Sequence, residues 1–194
     1  MPRAGLSRDE VVAAAAILAD DVGFAGLTMG LLAERLGVRT PSLYKHVENL
    51  ADLRHRLAIV AMTEFGEVIG DAVQGRSGLD ALTAMLTAGR GYALTHPGRY
   101  ATAVDEEYQG PADPMLAAAS RLVGTIAAVL AGYGIGEEEM NHAIRTIRSA
   151  MDGFIMLESG KGFQWAPPPE ESFGWMIRFL DRGLRATSHT LAAG

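Results

Sequence analysis

Residues 28–47, TMGLLAERLGVRTPSLYKHV, predict a helix, a tight turn and a short second helix. Leu32 and Leu36 lie four residues apart, which places both on one face of the first helix. Gly37 follows directly, where helices often end in a left-handed residue that glycine adopts with least strain. Pro41 then suits the first turn of the next helix. This order is typical of a helix-turn-helix, whose second helix enters the major groove of DNA, although an ordinary helical hairpin would show the same pattern.

The second helix of this stretch is predicted to have a polar outer surface. Leu43 and Val47 are four residues apart and are expected to face the core. The remaining positions carry hydroxyls, a phenol, a lysine and a histidine, without an exposed acid. Side chains of these types donate hydrogen bonds to phosphates and base edges. The segment therefore favours DNA binding over a purely structural hairpin.

The basic charge of the chain is concentrated near this segment. The whole chain has a net charge of −6, which by itself argues against nucleic acid. Residues 35–56, however, hold five Lys/Arg and two histidines against two Asp/Glu, whereas residues 57–194 hold ten Lys/Arg against sixteen Asp/Glu. We expect an attractive field at the second helix and an acidic remainder that is kept away from DNA.

Composition bounds the class of protein. The 194 residues, 48% hydrophobic and 21% charged, suit one domain or two small ones with a sizeable core. The absence of cysteine excludes disulfides, thiolate metal sites and cysteine nucleophiles. The polar N-terminus is unlike a signal peptide, and no segment is predicted to span a membrane. We expect a soluble, cytoplasmic protein that uses no cofactor and no metal.

Helical signals continue along the whole chain. Ser7 and Glu10 form a capping box that begins a first helix, predicted to run to about Val22. Asn49 is expected to cap a long helix over residues 50–73. Further helices are predicted at about 79–96, 100–108, 114–133, 137–159 and 170–188. The inner stripe of the first helix is predicted to be Val11, Ala14, Ala15, Leu18 and Val22.

The fold class is predicted to be all-α, with about nine helices, because neither a strand pattern nor an internal repeat is present. We expect two domains. Residues 1–49 would form a three-helix DNA-binding bundle that contains the helix-turn-helix, and residues 50–194 a larger ligand-binding and dimerisation domain. The helix at 50–73 begins beside the bundle and is predicted to act as a mechanical connector between the two.

The stretch 11–58, VVAAAAILADDVGFAGLTMGLLAERLGVRTPSLYKHVENLADLRHRLA, resembles the TetR family of bacterial transcription regulators. The most telling pieces are Leu32-Ala33, Leu36-Gly37-Val38, Ser42-Leu43-Tyr44 and His46-Val47. The likeness covers nearly a third of the chain. It implies that the DNA-contact positions are Thr28, Arg39, Thr40, Pro41, Ser42, Tyr44, Lys45 and His46, with Arg3 and Arg8 adding backbone contacts. By that likeness Ser42 and Lys45 would meet bases, and Tyr44 and His46 would meet phosphates.

Two positions depart from the pattern of the family. Members usually carry a lysine in the first turn of the fourth helix, where this chain has Leu50. Leucine cannot make that lysine's phosphate contact, so any contact there would fall to the free amides of the helix N-terminus. The last aromatic residue of the second helix is often phenylalanine, and Val47 replaces it with a smaller core residue.

The C-terminal part resembles, more weakly, the regulatory domain with a Trp-His-Gly signature found in some TetR-like proteins. The local pieces are Met151-Asp152-Gly153-Phe154 and Leu157-Glu158, with Asp152 in the place of the histidine. The likeness implies a homodimer in which the last two helices of each subunit form a four-helix bundle, which suits two DNA half-sites roughly 34 Å apart. The apolar stripes of these helices predict the interface positions Ile144, Ile155, Phe173, Met176, Ile177, Leu180 and Leu184. A helix in the core of one subunit would show the same stripes.

A regulatory domain of this kind is expected to hold a small, mostly apolar ligand. The chain has nine methionines, whose side chains conform to varied apolar shapes. Aromatic and polar residues are interspersed on the middle helices, as in pockets with few polar anchors. The candidate residues are Met62, Phe65, Tyr92, Met115, Arg145, Met151, Asp152 and Phe154. A ligand bound in the 80–160 region is predicted to tilt the helix that begins at Leu50 and to release a palindromic operator.

Two other classes of protein compete with a DNA-binding regulator. A small all-α enzyme could use one of its histidines as a base, but the chain has no metal-ligand spacing, phosphate loop or nucleophile elbow. The acidic runs 105–107 and 137–139 are consecutive, so in a helix their carboxylates diverge. The second alternative is a helical interaction module that has lost specific DNA binding, which Leu50 and Gly30 both suggest.

Overall fold

The computed structural model describes residues 6–191, which contain nine α-helices and one 3₁₀ turn and no strand. The helices are α1 Arg8–Val22, α2 Met29–Leu36, α3 Thr40–Leu43, α4 Leu50–Val73, α5 Gly78–Thr95, α6 Pro97–Asp105, α7 Pro114–Ala131, α8 Glu137–Ser159 and α9 Pro169–Leu191, and the 3₁₀ turn is Phe24–Gly26. The all-α fold class is therefore confirmed.

The described chain forms two compact units, and their limits differ from the predicted domain limits. Unit 1 comprises residues 6–65 and 95–119, and unit 2 comprises residues 66–94 and 120–191. The prediction divided the chain at residue 49. The difference arises because most of α4 and all of α6 pack within the same unit as α1, α2 and α3.

Local signals decide where the first two helices begin and end. The Ser7 amide donates to Glu10 Oε2 at 2.7 Å, and the Glu10 amide donates to Ser7 Oγ at 3.2 Å, which is the predicted capping box. Thr28 Oγ1 accepts a hydrogen bond from the Leu31 amide at 3.2 Å and caps α2. Gly37 ends α2 in the left-handed region, at φ 65°.

The core of unit 1 fixes the three helices of the N-terminal bundle against the start of α4. Its fully buried side chains are Val11, Ala15, Ala19, Leu27, Leu32, Leu43, Leu53 and Leu57. The predicted inner stripe of α1 was right for Val11, Ala15 and Leu18 but wrong for Val22, which is 42% exposed. Val22 is exposed because α1 ends there and the chain turns at Gly23 into the 3₁₀ turn.

Helix α6 lies against α1 at a point where only a glycine fits. A Cβ atom added to Gly98 would lie 2.0 Å from the carbonyl oxygen of Ala19 and 2.6 Å from the amide nitrogen of Asp20. Asp20 also caps α6 from outside, because its Oδ1 accepts a hydrogen bond from the Arg99 amide at 2.9 Å. Its Oδ2 lies 3.1 Å from His96 Nδ1 and 3.0 Å from Arg99 Nε.

These contacts correct one predicted boundary. The segment His96-Pro97-Gly98 was expected to be a break, with the next helix beginning near Tyr100, whereas α6 begins at Pro97. Proline suits the first position of a helix because its missing N–H would have no intrahelical partner there. The cap that stabilises this start comes from another helix, so the local sequence does not reveal it.

The buried histidine His55 on α4 forms a hydrogen bond with Asp113, the residue directly before α7. His55 Nε2 lies 3.1 Å from Asp113 Oδ1, and His55 Nδ1 lies 3.5 Å from Glu106 Oε1. Asp113 also accepts hydrogen bonds from the backbone amides of Gln109 at 2.7 Å and Met115 at 2.9 Å. The Gln109 bond is the main cause that holds the pKa of Asp113 below its ordinary value; burial opposes it, and the Met115 and His55 bonds add to it.

Unit 2 contains an ion-paired connection across three helices. Arg90 on α5 donates to Glu158 on α8, with Nε 2.7 Å from Oε2, and to Glu170 on α9, with Nη2 3.2 Å from Oε1. The Arg90 guanidinium lies 5.0 Å from the ring centroid of Phe173, which contacts Phe154 edge-on at 5.1 Å. The clustered charges and rings fix α5, α8 and α9 as one body.

A second polar contact in unit 2 joins the end of α7 to α9. Tyr133 donates its hydroxyl to Asp181 Oδ1 at 2.8 Å, and Arg185 pairs with the same carboxylate at 3.1 Å. Burial raises the pKa of Tyr133, and the hydrogen bond to Asp181 raises it further. The phenol therefore stays neutral and remains a donor at physiological pH.

Helix α7 is apolar enough to resemble a membrane span. Among the described residues it is the one helix whose length and composition meet that criterion, with a mean hydropathy of 1.6 over Pro114–Ala131. Core helices of soluble proteins meet the same criterion, and 28% of this window is buried. The sequence-based expectation of no membrane span remains a prediction for this helix.

We expect Gly98→Ala to destabilise unit 1, because the new methyl group would overlap the backbone of α1. Overpacking of this kind costs about 1–3 kcal/mol, or more where backbone must move. The control is Gly91→Ala on α5, where an added Cβ meets no atom within 4 Å and the change should stabilise the helix by roughly 0.5–1 kcal/mol. Urea unfolding measures both, and equal stability of the two variants would contradict the close α1–α6 contact.

We expect Asp113→Asn to be less stable than the natural chain at pH 7, with the difference shrinking at acidic pH. The folded pKa of Asp113 lies below its ordinary value, so its contribution to stability is complete above the ordinary pKa and is lost as the pH falls through the folded pKa. Asp71→Asn, at an exposed position on α4, is the control. Denaturation midpoints at pH 7 and pH 3 test this, and a difference between Asp113→Asn and the natural chain that does not depend on pH would refute it.

Candidate DNA-binding site

The turn between α2 and α3 has the geometry of a helix-turn-helix. The amide of Val38 donates to the carbonyl of Ala33 at 3.0 Å, and the amide of Gly37 donates to Glu34 at 3.1 Å, which closes the end of α2. Helix α3 then covers only four residues and continues as turns to His46. We call residues 40–47 the reading segment. Its inner anchors, Leu43 and Val47, are buried as predicted.

The outer side of the reading segment carries most of the predicted DNA contacts. Tyr44 is 52% exposed, and Arg39, Pro41 and Lys45 are also exposed. Thr28 is exposed but uses its hydroxyl to cap α2. The partly buried contact candidates are Thr40, Ser42 and His46. Of the seven predicted contact residues between positions 39 and 46, four are therefore exposed and three are partly buried.

The local positive charge is smaller than the count over residues 35–56 suggested. Arg35 pairs with Asp21 at 2.5 Å, and Arg56 pairs with Asp52 at 2.8 Å. Arg54 lies over the ring of Phe24, 4.9 Å from its centroid. Each of these three arginines therefore has a partner within the chain. In the part of the chain that the structure describes, the exposed cations of the segment without such a contact are Arg39 and Lys45.

The two arginines predicted to contact the DNA backbone from the N-terminal arm have different outcomes. Arg3 lies outside the described residues. Arg8 is exposed at the first position of α1, and its Nε donates a hydrogen bond to the backbone carbonyl of His46 at 3.0 Å. The structure therefore gives Arg8 an intramolecular partner at the end of the reading segment.

The start of α4 shows what replaces the lysine usual in the family. Leu50 is partly buried and packs on the core of the bundle. Asn49 Oδ1 accepts from the Asp52 amide, and Asp52 Oδ2 accepts from the Glu48 amide, both at 2.9 Å. Burial would raise the pKa of Asp52, but hydrogen bonds from Arg56 and the Glu48 amide, with the charges of Arg56 and Arg8, hold it below its ordinary value.

The predicted ligand residues fall in both units, and each set is described separately. In unit 1, Met62, Phe65 and Met115 are buried. In unit 2, Tyr92, Met151 and Phe154 are buried, whereas Asp152 pairs with Arg148 at 3.2 Å and Arg145 is exposed. The buried members are consistent with a core and with a pocket lining, and the exposure of Arg145 argues against a role as a buried anchor.

Most of the predicted dimer residues are already covered within one chain. Ile155, Phe173, Ile177, Leu180 and Leu184 are buried against unit 2 itself, and Ile144 and Met176 are partly buried. Side chains already covered within one chain have little apolar surface left to bury against a second copy. These buried positions mark the side of α8 and α9 that packs within the chain, and their role at a dimer interface stays a prediction.

A different apolar surface on α8 and α9 was missed by sequence reasoning. Trp175 and Phe179 are both 55% exposed and stack on each other, with ring centroids 5.3 Å apart. Met156 on α8 is 69% exposed. Next to Phe179 is a cleft of about 250 Å³ between α8 and α9, lined in part by Ala143 and Gly183. The four-residue spacing of Trp175 and Phe179 was the available signal, because it forms a second apolar stripe on α9.

Comparison with known proteins matches both parts of the chain to one family. Residues 11–57 match the model described as bacterial regulatory proteins, tetR family, and residues 82–180 match the tetracyclin repressor-like C-terminal domain. The uncharacterized HTH-type transcriptional regulator Rv0681 of Mycobacterium tuberculosis is 38% identical over 80% of this chain and 71% of its own length. YobS of Bacillus subtilis, described in the same words, is 30% identical over 94% of this chain and 95% of its own.

Solved structures show the same fold at low sequence identity. A TetR variant from Acinetobacter baumannii AYE in complex with minocycline has a TM-score of 0.70 at 22% identity, covering 94% of this chain and 98% of the other. BioQ with its natural double-stranded DNA operator has a TM-score of 0.66 at 22% identity, covering 94% and 99%. The helix-turn-helix, the two family matches and these relatives agree. The chain belongs to the TetR family of bacterial transcription regulators and has its DNA-binding domain at the N-terminus.

Proposed function

We propose that this protein is a homodimeric, ligand-responsive repressor. It binds a palindromic operator through residues 28–47 and releases the operator when a small, mostly apolar molecule binds in the regulatory region. The observation that carries the proposal is the reading segment, in which Leu43 and Val47 are buried while Tyr44 and Lys45 are exposed. Such a segment presents donors to a groove without disturbing its own core.

The chemistry of the exposed side chains supports distinct roles. Lys45 is a compact cation that reaches phosphates or the acceptors of guanine, and Arg39 carries a fork of donors suited to the same acceptors. The hydroxyls of Tyr44 and Ser42 donate to phosphate oxygens or base edges. Because the reading segment and its flank present few cations, we expect each half-site to be bound through a small number of strong contacts. A dimer makes twice as many contacts with the whole operator.

Dimerisation is supported by the surface on α8 and α9 that the protomer leaves uncovered. We propose that Trp175, Phe179 and Met156 take the place of the predicted interface residues. A stacked aromatic pair is a favourable anchor for an interface because it buries a large area with few side-chain torsions to fix. The small residues Ala143 and Gly183 beside the cleft permit close approach of a helix from a second copy.

Ligand control is supported by the way the helices connect. Helix α4 begins directly after the reading segment and continues for 24 residues, and α6 packs on α1 within unit 1. A ligand that favours the DNA-incompetent arrangement would shift either helix. The required difference in ligand affinity is modest, since allosteric couplings are typically about 1–3 kcal/mol. Minocycline bound to the TetR variant is an example of small-molecule binding on this fold.

The proposal includes a cytoplasmic location and no enzymatic role, because the named relatives are described as HTH-type transcriptional regulators. The alternative is a helical interaction module that has lost specific DNA binding. Leu50 in place of a lysine favours that alternative, since it removes one cation from the surface that would face DNA. A direct test of DNA binding separates the two.

We expect Lys45→Gln to weaken binding to duplex DNA from the protein's own upstream region by roughly tenfold at low salt. The dependence of log K on log salt should become shallower by about two, because the dimer loses one phosphate contact in each of its two half-sites. Lys161→Gln is a matched control, since Lys45 and Lys161 are the two lysines of the chain and both are exposed. Titrations at several salt concentrations measure both quantities.

Two results of this titration would count against the regulator. Weak binding that is equal in the natural chain, Lys45→Gln and Lys161→Gln would favour the interaction module. Tight binding that Lys161→Gln weakens as much as Lys45→Gln does would place the DNA contact outside the reading segment.

We expect Phe179→Glu to raise the dissociation constant of the dimer at least about thirtyfold, as for a central interface anchor. The new carboxylate would be desolvated and would face its symmetry mate. Tyr108→Glu is the control, because Tyr108 in unit 1 is exposed to a similar extent. Sedimentation equilibrium gives the constants, and an unchanged constant for Phe179→Glu would move the interface to another surface.

A further inference from the structure

The first helix contacts the reading segment by a hydrogen bond that neither the helix-turn-helix pattern nor the family likeness assigns. Arg8 Nε donates to the carbonyl oxygen of His46 at 3.0 Å, across 38 residues of sequence. Arg8 is the first residue of α1, and His46 lies at the far end of the reading segment. A side chain of one element thus holds the backbone of another.

The carbonyl of His46 lies at the end of the reading segment, where no backbone amide of the same helix is placed to donate to it. The last carbonyls of a helix have no donor from a following turn. The amides of His46 and Val47 both donate to the carbonyl of Leu43, at 2.9 and 3.1 Å, so the segment tightens and ends there. An isolated helix of four residues is far below the length that is stable in water. External contacts must therefore fix the orientation of its outer face.

Arg8 is itself held in place. The capping box between Ser7 and Glu10 fixes the backbone on either side of it. The charge of Arg8 also acts on the carboxylate of Asp52 and helps to lower its pKa. That carboxylate accepts a hydrogen bond from the Glu48 amide and pairs with Arg56. The guanidinium thus lies among ordered groups on α1, the reading segment and α4, and its donor is directed at a backbone atom.

We propose that Arg8 is a positioning residue for DNA recognition, which acts by holding the His46 carbonyl and thereby the outward orientation of Tyr44 and Lys45. This role differs from the direct phosphate contact that the family likeness implies for Arg8. The proposal rests on the proposed function, because positioning has a consequence for affinity only if the segment binds DNA. It also makes a statement about the free protein that does not depend on DNA.

Two substitutions separate the hydrogen bond from the charge. In Arg8→Gln the amide nitrogen is attached to the same carbon as Nε of arginine, so a donor remains at that position while the charge is removed. In Arg8→Met the apolar stem remains, but both donor and charge are removed. Both variants keep a good helix former at the start of α1. Arg76→Gln is a control for the loss of one positive charge, because Arg76 lies in unit 2 and pairs with Asp80.

We expect Arg8→Met to bind operator DNA roughly tenfold more weakly than the natural chain, as expected for loss of one hydrogen bond to the reading segment. Arg8→Gln should bind within about threefold of the natural chain, and the salt dependence should be unchanged in both. Equal weakening in both variants, with a salt dependence shallower by about two because each half-site loses one contact, would overturn the proposal in favour of a phosphate contact. Natural affinity in both variants would also overturn it.

Amide hydrogen exchange of the free protein provides the second measurement. We expect faster exchange at the amides of residues 44–49 in Arg8→Met than in Arg8→Gln, with thermal unfolding of the two variants within a few degrees. Should the natural chain fail to bind DNA, the proposed function would fail, while this comparison would still decide whether Arg8 orders the segment. Equal exchange in the two variants would refute the positioning role.

Discussion

The contact between Gly98 and the backbone of Ala19 constrains the rest of unit 1. At this point the backbones of α6 and α1 are in direct contact, with no room for a side chain between them. Asp20 on α1 then caps α6 and pairs with Arg99. Helix α1 is a rod of 15 residues, about 22 Å long. It holds α6 near its C-terminal end, and through Arg8 it holds the reading segment at its N-terminal end. In the proposed mechanism, a displacement of α6 would therefore reach the reading segment along α1 as well as along α4.

This arrangement also explains how an acidic chain provides a DNA-binding surface. Near the reading segment, Arg35 pairs with Asp21 and Arg56 with Asp52, and Arg54 lies over the ring of Phe24. Such pairs stabilise the bundle only slightly where they are exposed. The two ion pairs do, however, lower the net positive charge of this part of the chain. Among the described residues, the exposed cations without a carboxylate partner at the reading segment are Arg8, which bonds to a neutral carbonyl, Arg39 and Lys45.

The sequence allowed the helices to be predicted where the signal is local, and it failed where a partner comes from elsewhere in the chain. The start of α1, the end of α2 at Gly37 and the burial of Leu43 follow from capping, left-handed geometry and spacing within a few residues. The start of α6 did not, because its cap is Asp20, 79 residues before Arg99. On α9, periodicity identified a buried stripe but not whether a protomer or a second copy covers it, and the uncovered pair is Trp175 and Phe179.

The reading segment illustrates how small contributions decide geometry. One of its two inner anchors is Val47, and this side chain buries less apolar surface than a phenylalanine would, a difference of about 1 kcal/mol. The hydrogen bond from Arg8 to the adjacent carbonyl is worth about the same amount. The hydrogen bond from Arg8 can therefore offset the smaller apolar area that Val47 buries. Unlike an apolar contact, a hydrogen bond also restricts the angle between donor and acceptor, so it fixes an orientation. We infer that a smaller residue is tolerated at position 47 because the orientation of this segment is set partly from α1.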